Sequence, residues 1–104
     1  MAQFDVYENP NHASLKSIPY LLDVQTDLLD NLATRVVVPL VASAAMPKPG
    51  RQLNPVFIIG DKTFLMSTAE IAGVSVKSLG KKVCSIKENR NEIVAALDFL
   101  ITGI

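Results

Sequence analysis

The run Thr34–Ala42, TRVVVPLVA, sets the tightest limit on what this chain can fold into. Three successive valines point to alternate sides of a strand, so both faces of that strand must be covered. Pro39 has no N–H to give to a ladder, so it marks an edge or a bulge where the strand bends. A bent, strongly twisted strand is what a small barrel-like sheet needs.

Other segments supply partners for it. Gln3–Tyr7 alternates, with Phe4 and Val6 on one side and Asp5 and Tyr7 on the other, which predicts a first strand. Ile18–Val24 predicts a second, with Tyr20, Leu22 and Val24 on one face. Asn54–Ile59 and Thr63–Ser67 flank Gly60-Asp61-Lys62 and read as a hairpin. Ser67–Gly73 reads as a short helical turn closed by Gly73, and Val74–Ser78 as a short strand. Gly80-Lys81-Lys82 then turns the chain toward Val83-Cys84. The polar stretch Glu8–Ser17, with Asn9-Pro10-Asn11, and the stretch Met46–Arg51 read as loops.

Ser85–Ile104 reads as the one long helix. Ser85 and Glu88 have capping-box spacing. Ile93, Val94, Leu97, Leu100, Ile101 and Ile104 recur at helical spacing and cover roughly a third of the circumference. Gly103 is placed to end the helix, since glycine takes a left-handed conformation without penalty. The opposite face carries Ala95, Asp98, Phe99 and Thr102. Scattered exposed apolar residues are ordinary, but Phe99 beside an apolar Thr-Gly-Ile ending also fits a contact surface for a second protein. The sum is a mainly β chain with a C-terminal helix, in one domain over residues 1–104.

Composition excludes several function classes. Lys plus Arg equals Asp plus Glu, ten each, so the basic excess of a general phosphate-binding surface is missing and direct DNA binding is not expected. Cys84 is the sole cysteine, which rules out an internal disulfide and fits a reducing compartment. The opening MAQFDVYENPNH lacks a basic-then-apolar leader pattern, and no apolar run approaches the ~20 residues of a membrane span. A cytoplasmic location is expected.

The inventory of chemistry is thin. His12 is the only histidine and sits in a loop without partners for catalysis or metal binding. Asp23, Asp27 and Asp30 lack the spacing of a calcium loop, and their simpler role is to cap turns. No catalytic group, metal site or cofactor is expected. Leu28-Leu29 is more telling: two adjacent leucines in a connection cannot both point inward, so one can face a partner.

These stretches carry a resemblance. QFDVY at the start, DVQTDLLD at Asp23–Asp30, RVVVPL at Arg35–Leu40, NPVFIIGDKTFLMST at Asn54–Thr68 and RNEIVAALDFLITGI at Arg90–Ile104 are similar, in order, to the CcdB family. These are the toxins of ccd toxin–antitoxin modules. The resemblance implies an SH3-like barrel fold shared with MazF toxins, with a twisted antiparallel sheet plus a small second sheet. It implies a homodimer, no enzymatic activity, and action by binding DNA gyrase A and trapping the gyrase–cleaved-DNA complex. It also implies neutralisation by a CcdA-like antitoxin, with which the toxin represses its operon while the antitoxin supplies the DNA contact.

On matching positions, the resemblance places gyrase contacts at Leu28, Leu29, Asp98, Thr102, Gly103 and Ile104. Thr102 departs from the pattern, since the best-known members carry Trp there. Two alternatives follow from the same relatives. One is a MazF-like ribonuclease, for which Arg35 with Thr34 would be the first candidates. The other is a non-toxic homologue that only binds an antitoxin.

Overall fold

The computed structural model describes residues 1–46 and 48–103. Among the described residues, seven antiparallel strands form one sheet: β1 (Asp5–Glu8), β2 (Tyr20–Asp23), β3 (Thr34–Ala42), β4 (Val56–Ile59), β5 (Lys62–Met66), β6 (Ala72–Ser75) and β7 (Lys82–Ser85). The order is β4-β5-β3-β2-β1-β7, with β6 paired to β3 outside that path. Helix α1 (Arg90–Thr102) follows.

The valine-rich run is the hub. β2 lies along one side of β3, pairing Leu22 with Val38. The other side is divided: β6 pairs with Thr34–Val37 and β5 with Leu40–Ala42. The sheet therefore forks at Pro39, and its β4–β5 arm takes the place of the small second sheet that was expected, continuous with the rest through β3. The Pro39 carbonyl accepts from Ser67 N at 2.9 Å on the divided side. The N–H and C=O of an extended residue point the same way, so the donor that Pro39 lacks falls in the gap between β5 and β6, where a ladder bond is not needed. Val37 and Val38 are buried on opposite faces.

One core fills the concave side. Phe4, Val6, Leu22, Val24, Val38 and Leu40 meet Phe57, Phe64 and Met66 from the hairpin and Ile86, Ile93 and Ala96 from the helical end. Burying a side chain such as Ile93 contributes ~1.5–3 kcal/mol. Phe4 holds this packing with φ at 72°, an outlier for a bulky residue. Its N–H donates to Asp23 O at 2.6 Å and its carbonyl accepts from Ile86 N at 2.9 Å. It thus ties the end of β2 to the approach of the helix.

Three sequence expectations are corrected. Ser85 and Glu88 form no capping box: Ser85 is the last residue of β7, opposite Asp5, and its hydroxyl accepts from Lys87 N at 3.3 Å. A 3-10 turn over Lys87–Asn89 intervenes before α1, and at the helix start Asn89 Nδ2 donates to Glu92 Oε1 at 3.2 Å. Gly73 does not close the turn after Ser67, which spans Thr68–Glu70. It lies inside β6 opposite Val36. Pairing with β3 fixes that register, so β6 ends at Ser75 and Val76–Ser78 turns instead of extending.

Candidate partner-binding site

The connection from β2 to β3 is short, polar at both ends and apolar in the middle. After Asp23 the chain leaves the sheet, makes a 3-10 turn over Asp27–Leu29 and returns at Thr34. Leu28 is 90% exposed, and Leu29 and Leu32 are 46% exposed each. The adjacent leucines do not split into one inward and one outward residue; both face solvent. Leu32 escaped the sequence reading, although its spacing of four from Leu28 within a polar loop was visible.

This apolar turn is tied down from below. Arg35, at the start of β3, is 1% exposed and Asp23 is fully buried. The Arg35 Nε donates to Asp23 Oδ2 at 2.8 Å, and its Nη2 lies 2.7 Å from the same oxygen. Its Nη1 reaches Asp30 Oδ1 at 3.2 Å and Nη2 reaches the Gln25 carbonyl at 3.4 Å. Arg35 is therefore spent on structure, and the Arg35–Thr34 pair of the ribonuclease reading offers no free guanidinium. Burial pushes the Asp23 carboxyl above its ordinary value, against the Arg35 and Gln25 N–H bonds that favour the carboxylate. Asp27 accepts from Gln3 N at 2.8 Å. All three acids thus hold backbone or side-chain donors, and among the described residues no cluster of three His, Cys, Asp or Glu side chains is arranged for a metal.

The helix end supplies the second surface. Core contact along α1 ends at Leu97. Ile101 is 76% exposed, a correction to its expected place on the packed face. Its angular position is right and Leu100 beside it is half-buried, but nothing covers Ile101 itself. Thr102 is exposed and its hydroxyl donates back to the Asp98 carbonyl at 2.7 Å, which leaves its methyl as the free end. Asp98 is exposed on the same turn. Gly103 takes φ of 75° and donates to Phe99 O at 3.0 Å, the left-handed stop expected of it. Ile104 lies outside the described residues. Ala95 and Phe99 do not simply face water. With Glu92 they line a cleft of about 580 Å³ closed on the other side by Arg51, Pro55 and Val56.

The turn and the helix end stand on separate elements, but they share a root. Val24 below the leucine turn, Phe4, Ile86 and Ile93 belong to one core cluster. The family comparison covers all of these parts: the model described as CcdB protein matches residues 3–103 of the 104. The chain belongs to the CcdB family. It is thereby a toxin of the toxin–antitoxin type, and the CcdB match contains every proposed contact position except Ile104. Among the described residues no helix is long and apolar enough to cross a membrane.

Proposed function

We propose that this CcdB-family chain poisons DNA gyrase by binding gyrase A through Leu28, Leu29, Asp98, Thr102, Gly103 and Ile104. The observation that carries this reading is the pair of exposed apolar tips: Leu28 on a hydrogen-bonded turn and Ile101 with Thr102 on the last turn of α1. The Thr102 hydroxyl is spent on the Asp98 carbonyl, and on this reading action rests on shape. A poison of this kind stabilises one conformation of its target through differential affinity. A homodimer would present both tips twice across a two-fold axis, matching a two-fold target. A CcdA-like antitoxin would neutralise it by covering the toxin surface, and the pair would repress their operon in the cytoplasm, with the antitoxin making the DNA contact.

The test is calorimetric titration against the gyrase A dimerisation fragment, followed by holo-gyrase assays for accumulated cleaved DNA. Leu28→Asp should weaken binding at least about tenfold, because it places a carboxylate where an apolar contact would be desolvated. Its melting temperature should stay put, because Leu28 has little to lose in the free protein. Absence of binding by the folded wild-type chain would sink the proposal.

A further inference from the structure

We infer that Gln25 is a positioning residue, a brace that holds the Leu28–Leu32 turn in one conformation for docking. The inference rests on the proposed role of Leu28 and Leu29. The problem it answers is physical. Three exposed leucines on a slack connection would be drawn onto the protein body by the hydrophobic effect, and a single 3-10 turn is too short to hold itself.

Gln25 is buried, and its side-chain amide is bonded to main chain at both ends. Oε1 accepts from Val36 N at 3.0 Å, and Nε2 donates to Leu29 O at 2.9 Å. The position of the first bond explains its stiffness. The β2–β3 ladder ends at Asp23 opposite Val37, with one further bond from Val24 N to Val36 O at 3.0 Å. The Gln25 amide then takes the Val36 N–H, extending the ladder through a side chain where β2 has left the sheet. From that fixed point it reaches to the carbonyl of Leu29.

The backbone of Gln25 is fixed too. Its N–H donates to Asp23 Oδ1 at 3.0 Å and its carbonyl accepts from Arg35 Nη2 at 3.4 Å. Outer ties complete the frame: Thr26 Oγ1 accepts from Leu28 N at 3.3 Å, and Asp27 from Gln3 N. Among the described residues, Gln25 alone links the central strand to the middle of the turn by a bond at each end of one side chain. A preordered turn has less conformational freedom to lose on binding.

The test uses full-length Gln25→Met, close in length but unable to make either bond, and Gln25→Glu, which keeps the acceptor for Val36 N and loses the donor to Leu29 O. Amide hydrogen exchange is read by NMR at Leu28, Leu29 and Leu32 and, as a control, at Val38 and Leu40. Affinity for the gyrase A dimerisation fragment is read in parallel. Both variants should speed exchange in the turn by about tenfold or more with the control amides unchanged. Both should bind roughly ten- to a hundredfold more weakly, the range expected when one or two residues must be re-ordered on docking.

Unchanged exchange in the turn, or a loosened turn with wild-type affinity, overturns the inference. If one of the two Gln25 variants fails to fold, the other carries the same measurements. A wild-type chain that does not bind the fragment refutes the gyrase reading instead, and the exchange data still decide whether Gln25 braces the turn.

Discussion

Replacing Arg35 by Met tests the foundation of the leucine turn. Met keeps much of the side-chain volume but leaves the fully buried Asp23 carboxylate without the two guanidinium contacts at 2.7 and 2.8 Å. Its remaining partner is Gln25 N at 3.0 Å. Removing one member of a buried pair costs ~3–5 kcal/mol, because the other charge stays in a poor medium. Against a total stability of about 5–15 kcal/mol for a typical domain, that is a large share. A protein of this size should melt roughly 12–40 °C lower. Asp30 adds little to this loss, since its side chain is 57% exposed and rehydrates. Urea unfolding followed by far-UV circular dichroism measures the change, with the slope unaltered if only stability has moved.

Two controls sharpen the result. The double variant Asp23→Leu/Arg35→Met removes both charges and should lie within about 2 kcal/mol of wild type. The deficit of Arg35→Met should also shrink as pH falls. Burial already raises the Asp23 carboxyl in the folded state. Folded protein then holds the proton where unfolded chain has released it, so lowering the pH favours folding. An Arg35→Met protein within about 1 kcal/mol of wild type, or a double variant as unstable as the single, would refute the account of a desolvated pair.

Two further outcomes follow from the geometry. Gly80→Ala should destabilise by ~1–3 kcal/mol in the same unfolding assay, because a Cβ there would sit 2.7 Å from the Glu8 carbonyl oxygen, a backbone atom held by its bond from Gly80 N; a neutral effect would mean that the β1–Gly80 contact is slack. Tyr7 should titrate near 12 in absorbance at alkaline pH, since burial and then the Asp5 carboxylate raise its phenol from 10. The folded phenol keeps its proton where the unfolded one loses it, so its contribution is intact below about pH 10 and is lost as pH climbs toward about 12. Asp5→Asn should bring that titration down.

Much of the site was legible because it depends on local pattern. Leu28 and Leu29 stand out as apolar residues in an acidic connection, and Gly103 as a residue able to take positive φ. The brace under them was not legible. Gln25 reads as one more polar loop residue until Val36 and Leu29 are brought to either end of its amide. Arg35 was readable as a free cation, and its burial depends on Asp23 and Asp30 converging from another strand and its loop. Leu32 lay in view but was assigned to no element.

The sequence by itself determined the periodicities: alternation in β1 and β2, the doubly covered valine run, the hairpin at Gly60 and the helix stopped at Gly103. Those follow from bonds and side-chain directions within a few residues. Tertiary structure decided what stands opposite each face. It forked the sheet at Pro39, set β6 by its pairing with β3, ended core contact at Leu97 so that Ile101 meets water, and made Ser85 the close of a strand where its spacing to Glu88 promised a cap. Burial and pairing are properties of two surfaces, and a chain read in order presents only one of them at a time.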